Sequence, residues 1–175
     1  MTLLLDFRIP GEPVPAPRPR ASGRIGKVKG KLAAITRIHM PKAYEAELEA
    51  VNKRAHAAGW HHARPYVGPV RVEVTAVHAC PQSDERKRTP RPWRWWCGAT
   101  NDVDNIAKTY LDALQPDGDR DGVIANDGQV VELVARKLIA AQGEPARVEV
   151  RVYALPAEPP EALSLAPIFN HQESA

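Results

Sequence analysis

The sequence predicts an α/β fold in which a mixed sheet of about four strands packs with two helices. Three observations carry that expectation. In "GPVRVEVTAVHAC", Val70, Val72, Val74 and Ala76 alternate with Arg71, Glu73 and Thr75, the period of two expected of a half-buried strand. In "PKAYEAELEAVNKRAHAAG", Tyr44, Leu48, Val51 and Ala55 recur at steps of four, three and four, the spacing of one helix face. The chain has 175 residues, enough for one core and short for two.

The remaining elements follow in chain order. "LLLDFRIPG" reads as a first strand closed by the turn Pro10-Gly11. The prolines and glycines of "EPVPAPRPRASGRIGKVKGKLAAITR" argue for a mobile basic loop over about residues 11–34, its end able to form a short strand. The first helix starts at Pro41, suited to a first turn, and stops at Gly59. A loop or ragged strand rich in Trp and Arg occupies about 81–99, followed by a second helix from about Asp104 to Leu114 with Ile106, Tyr110, Ala113 and Leu114 on its apolar side. "QVVELVARKLIAA" and "ARVEVRVYAL" read as two strands of a hairpin, turning at Gln142-Gly143-Glu144-Pro145. After Leu155 the composition shifts to Pro, Ala, Glu and Ser, which predicts a disordered tail over 156–175.

Charge is unevenly placed. Between Pro13 and Tyr44 stand eight Lys or Arg and no acid, whereas Asp102 to Glu132 holds eight acids against Lys108 and Arg120 alone. A basic arm beside an acidic cluster points to a polyanion held near bound cations, the bland alternative being a solvated surface with an acidic turn. Cys80 and Cys97 lack the CxxC or His spacing of a zinc site or a disulfide framework. No apolar run approaches the roughly 18 residues of a membrane span, and the short apolar start is broken by Asp6 without a basic leader, so a cytoplasmic protein with no membrane partner is expected.

The chemistry concentrates in "TNDVDNIAKTYLDAL". Asp102 and Asp104 have the D-x-D spacing that lets two carboxylates share a hard divalent ion, which takes oxygen ligands and completes its shell with water and phosphate oxygens. Lys108 falls one turn after Asp104 on the same helix face, and Asp112 continues the row. The same spacing also describes an ordinary surface ion-pair ladder, so the three alone do not decide. "VIANDGQVV" adds Asn126 and Asp127 just before a strand, a place from which a third carboxylate can converge. A calcium loop competes, because "DGDRDG" (117–122) opens like an EF-hand, yet the twelfth position is Gly128 instead of a bidentate Glu, and a strand follows.

Those two stretches together, D-V-D-N-I-A-K followed by D-A-L and then N-D-G-Q-V-V, resemble the RusA family of Holliday-junction resolvases, endonucleases common in phages and prophages. The resemblance extends over most of the chain to about Leu155, and implies one RusA-like domain over 1–155. It also implies that Asp102, Asp104 and Asp127 hold Mg2+ or Mn2+, that Lys108 is the catalytic lysine, and that the protein works as a homodimer on four-way junctions. Asn105, Asp112 and Asn126 are accessory candidates, Asn126 standing where the family carries the first acid of a pair. Thr100-Asn101 replaces the family's basic pair before the first aspartate.

Substrate contact is expected from Arg18, Arg20, Arg24, Lys27, Lys29 and Lys31 of the basic loop, and from Arg86, Lys87, Arg88, Arg91, Arg94 and Trp95 of the second loop. Trp93, Trp95 and Trp96 suit either stacking on unpaired bases or core packing. The expected activity is metal-dependent hydrolysis of branched DNA in recombination and repair. The alternative is cation-dependent binding of branched DNA without cleavage.

Overall fold

The computed structural model describes residues 1–17, 20–28, 31–62, 64–86, 91–99 and 101–158, with the backbone alone described over 20–28 and 31–39. Arg18, Lys29, Lys87, Arg88, Thr100 and the tail from residue 159 lie outside the described residues. The strands are β1 (Thr2–Pro10), β2 (Arg20–Val28), β3 (Lys31–His39), β4 (Val70–His78), β5 (Trp95–Trp96), β6 (Val130–Ile139) and β7 (Arg147–Ala154). The helices are α1 (Lys42–Ala57), the single turn α2 (Gln82–Glu85) and α3 (Val103–Leu114).

A five-stranded sheet runs in the order β1-β7-β4-β6-β5, and β2 and β3 form a two-stranded sheet of their own. Period-two sequences give the large sheet one apolar face: Leu5, Phe7 and Ile9 of β1, Val148, Val150 and Val152 of β7, and Val70, Val72 and Val74 of β4 are all buried. Helices α1 and α3 cover that face, α1 with Tyr44, Leu48, Val51 and Ala55, α3 with Ile106, Tyr110, Ala113 and Leu114. The opposite face carries the alternate residues as ion pairs. Arg71 bonds Glu73 and Glu132, Arg147 bonds Glu144 and Glu149, and Arg151 bonds Asp6.

Three expectations need correction. Among the described residues the large sheet has five strands where about four were expected, and there are three α-helices where two were expected. The basic stretch is largely a β-hairpin, with Arg20 opposite His39 and Val28 opposite Lys31, instead of a loop to about residue 34. Its glycines lowered the strand signal, but the ladder supplies the hydrogen bonds that local propensity does not.

The strands now numbered β6 and β7 do not pair. β4 lies between them, parallel to β6 and antiparallel to β7. A parallel pair needs a crossover, and α3 supplies it on the way from β4 to β6. The short link after β6 then has to pass over one strand, roughly 10 Å for two inter-strand spacings, well within the reach of residues 140–146. Link length therefore did not distinguish a neighbour from a next-but-one strand.

Candidate active site

Helix α3 begins at Asp102, whose backbone is extended (φ −64°, ψ 141°) and whose main-chain oxygen accepts the Ile106 N–H at 3.1 Å. Its carboxylate makes no capping bond to the helix and, among the described residues, meets only the Asn105 side-chain amide, at 3.5 Å. Asp104, in the first turn, is exposed and has no ion-pair or hydrogen-bond partner among the described residues. Both carboxylates line an open groove of about 620 Å³, with Trp96, Cys97 and Gly98 on one side and Ala135, Arg136 and Lys137 of β6 on the other. The Lys137 ammonium donates to the main-chain oxygens of Ala99 (2.9 Å) and Asn101 (2.7 Å), and so fixes the strand-to-helix link that presents Asp102. Sequence reasoning missed this role, because spacing along β6 gave no sign that Lys137 reaches back to that link.

One turn further, Lys108 is well exposed and donates to Asp112 Oδ1 at 3.1 Å. The other Asp112 oxygen accepts the Tyr44 hydroxyl from α1 at 2.7 Å. Burial and then that bond push the Tyr44 hydroxyl well above its ordinary pKa, so it stays a donor. Asp112 thus joins the two helices and holds Lys108 on the helix face that carries Asp104. Beneath them Tyr110 is fully buried and donates to Glu47 at 2.8 Å. Burial raises both groups, with Glu47 raising Tyr110 further and Tyr110 acting to lower Glu47.

The segment leading to the basic hairpin is anchored at the same helix. The Ala16 N–H donates to the Asn105 main-chain oxygen at 2.8 Å, and Val14 bonds the Tyr110 hydroxyl. The root of the hairpin therefore starts from the helix turn that carries the acid pair.

Asp127 lies elsewhere. Leu114, the last residue of α3, accepts the N–H groups of Val123 (2.7 Å) and Ile124 (3.1 Å), and the chain then turns through a short 3-10 segment (Asp127–Gln129) into β6. Gln129 is the keystone of that turn, another role the sequence did not reveal. Its side-chain oxygen accepts the N–H groups of Ala125 (2.6 Å) and Asn126 (3.1 Å), and its amide donates to Tyr66 (3.1 Å) and Gly68 (2.9 Å) main-chain oxygens. Asn126 and Asp127 are left exposed at the surface. Helix α3 runs back along β6, with Asp102 beside Lys137 and Leu114 beside Ile124, so Asp127 stands at the opposite end of the helix from Asp102. Twelve helical residues span about 18 Å, and among the described residues no group of three His, Cys, Asp or Glu side chains is placed to hold a metal ion.

The expected contact residues divide. Arg20, Arg24, Lys27 and Lys31 lie on β2 and β3, whose side chains are outside the described residues. Arg86 is exposed at the end of α2, and the exposed Arg91 stacks its guanidinium 4.9 Å over the Trp95 ring. Arg94 is engaged structurally, bonding Glu144 at 2.6 Å and Glu149 at 3.2 Å. Trp95 is half-buried, whereas Trp93 and Trp96 are 64% and 73% exposed and are not core fillers. The "DGDR" stretch is a tight turn closed by Asp117 and Arg120, with Gly118 left-handed (φ 57°), which does not form a calcium loop.

An acid pair thus stands at the start of a helix on a mixed-sheet scaffold, with a lysine one turn along and the segment leading to a basic hairpin anchored at the same helix. A family model for the endodeoxyribonuclease RusA matches residues 10–153, and the chain belongs to that family of Holliday-junction resolvases. No curated protein matches the chain. No helix among the described residues is long and apolar enough to cross a membrane.

Proposed function

We propose that this chain is a divalent-cation-dependent endonuclease that cuts four-way and related branched DNA inside a bacterial cell, as one domain over residues 1–155. The observation that carries the reading is the exposed Asp102–Asp104 pair, held without a cation partner among the described residues at the start of a helix whose next turn presents Lys108. The donor set fits Mg2+ or Mn2+, since such an ion commonly takes one or two carboxylates and completes its shell with water and substrate phosphate oxygens. Bound there, the ion supplies an activated water and offsets charge on the phosphate.

The chain's own groups do the rest. Asp102 and Asp104 orient the ion-binding edge of the groove, and Lys137 keeps the link in front of them rigid. Lys108 aims an ammonium at the non-bridging phosphate oxygens, where negative charge grows as the water oxygen bonds phosphorus and the ester P–O bond breaks. The basic hairpin supplies salt-sensitive affinity for the sugar-phosphate backbone.

Asp127 completes the carboxylate set from a second copy of the chain. A helix length separates it from Asp102 within one chain, and a two-fold axis running across α3 carries each end of one protomer to the other end of its partner. Junction substrates have two equivalent strands, which suits two such sites. The alternative of a non-cleaving, cation-dependent binder draws on the absence of a three-carboxylate group among the described residues. Incubating a labelled four-way junction with and without Mg2+ separates the two. Metal-dependent paired nicks, lost in Asp102→Asn, are expected; stable binding without nicks selects the alternative.

A further inference from the structure

Trp96 is 73% exposed, although it stands in strand β5 and lines the groove that holds Asp102 and Asp104. Two other tryptophans are engaged by the fold. Trp60 is buried and donates its Nε1–H to the Gly122 main-chain oxygen at 3.1 Å, and Trp95 is half-buried beneath the Arg91 guanidinium. Among the described residues the Trp96 ring has no stacking partner and no cation over its face. An indole held in water at a groove wall forgoes the stabilisation that burial gives it, so its place in the groove calls for an occupant.

The sheet register sets a cation beside that ring. Trp96 lies opposite Leu138, and Trp95 opposite Ile139. Side chains along β6 alternate between faces, so Arg136, two residues before Leu138, lies on the Trp96 side of the sheet as its diagonal neighbour, about 7–8 Å away by the usual spacing. Arg136 also lines the groove, is exposed, and has no ion-pair partner among the described residues. The two groups suit different parts of one nucleotide. A guanidinium takes phosphate oxygens. An indole face takes a base plane, and only a base that has left its own stack, because inside a duplex both faces of a base are already covered. Continuous duplex is held through its backbone and gains little from a bare ring.

We propose that Trp96 and Arg136 form a subsite for one unpaired nucleotide beside the acid pair, with Trp96 stacking on the base and Arg136 holding the phosphate. Such a subsite selects DNA that offers an unstacked base where the acid pair acts: splayed arms, flaps and junctions with an open centre, in preference to continuous duplex. The placement of this base at a cut rests on the nuclease reading; the capacity to hold unpaired DNA does not. Trp93, 64% exposed and outside the groove lining, serves as the control ring.

Fluorescence anisotropy without divalent cation tests it, on a labelled splayed-arm DNA and on a duplex of equal length. The native chain is expected to prefer the splayed arm. Trp96→Ala is expected to weaken that complex roughly 5- to 150-fold, the scale of one base stacked on an aromatic ring, and to change duplex affinity by less than about twofold. Trp96→Phe, which keeps a ring, restores most of the loss, whereas Trp96→Leu, which keeps only apolar bulk, does not. Arg136→Gln lowers the salt slope of splayed-arm binding by about one, and Trp93→Ala binds as the native chain does. The proposal is overturned by a native chain with no preference for the splayed arm, by equal losses on both DNAs in Trp96→Ala, or by Trp96→Leu binding as well as Trp96→Phe. A changed sedimentation coefficient in Trp96→Ala also overturns it, since the ring then belongs to a contact between copies. A chain that shows the expected binding and never nicks a junction with Mg2+ leaves the subsite standing and overturns the nuclease reading. A nicking enzyme whose splayed-arm affinity is indifferent to Trp96→Ala does the reverse.

Discussion

Mixing Asp102→Asn and Asp127→Asn chains is the sharpest test of the proposal that two copies share their acid residues. Asp102→Asn removes a carboxylate at the start of α3, and Asp127→Asn removes one beyond the far end of that helix, whose twelve residues span about 18 Å. Metal–oxygen bonds near 2.1 Å leave no way for one ion to touch both in a single chain. Each variant alone is expected to nick a labelled four-way junction at least about 100-fold more slowly, since even outer partners of metal ligands cost 10–100-fold. After subunit exchange of an equimolar mixture, about half the dimers are mixed, and each mixed dimer has one site with both defects and one with neither. Nicking should recover to roughly a quarter of the native rate per chain. A mixture no faster than its components refutes sharing across the two-fold axis, whatever the single variants do.

Other outcomes follow from individual contacts. Lys108→Met should slow nicking roughly 100-fold, the scale of one lost transition-state donor, while stability changes by less than about 1 kcal/mol, because Lys108 and Asp112 are a partly exposed pair; unchanged nicking removes the lysine from the mechanism. Gln129→Ala breaks four hydrogen bonds to the turn before β6, for a loss of about 2 to 4 kcal/mol, and a calorimetric Tm lower by roughly 5 to 10 °C; a Tm within a degree of native denies it the keystone role. Tyr44 and Tyr110 have folded pKa values raised above the unfolded phenol, so their contribution is whole below about pH 10 and is lost as pH rises beyond it. Urea titrations should show stability falling above that pH by up to about 1.4 kcal/mol per pH unit for each tyrosine, with a shallower fall in Tyr44→Phe; equal slopes would contradict the assignment.

Much of the fold was legible because its apolar residues report one face at a time. The steps of four and three in α1 mark its buried residues Tyr44, Leu48, Val51 and Ala55, and the alternation in β4 marks Val70, Val72 and Val74. The neighbours of each strand were not legible, since β6 and β7 satisfy their periods equally well beside β4 or beside each other. At the candidate site, the motif placed Asp102, Asp104 and Lys108 at the start of α3, where they stand. It carried no information on the direction of α3 along β6, and that direction separates Asp127 from the pair. Lys137 and Gln129 act through main-chain atoms distant in sequence, which no local spacing encodes.

The separation has a physical logic. Three carboxylates held together without an ion repel one another, and a fold that gathers them in one chain bears that cost before any substrate arrives. Here the pair at the start of α3 sits apart from Asp127, and each is exposed to water that solvates its charge. The nearest fixed cation on the helix face, Lys108, is kept from collapsing onto Asp104 by Asp112, which Tyr44 anchors from α1. Asp104 is thereby left without an ion pair among the described residues, while Lys108 is held by Asp112 on the same helix face. On the proposed reading, assembly of two chains on a two-fold substrate brings the separated charges together only where cations and phosphates are present to offset them.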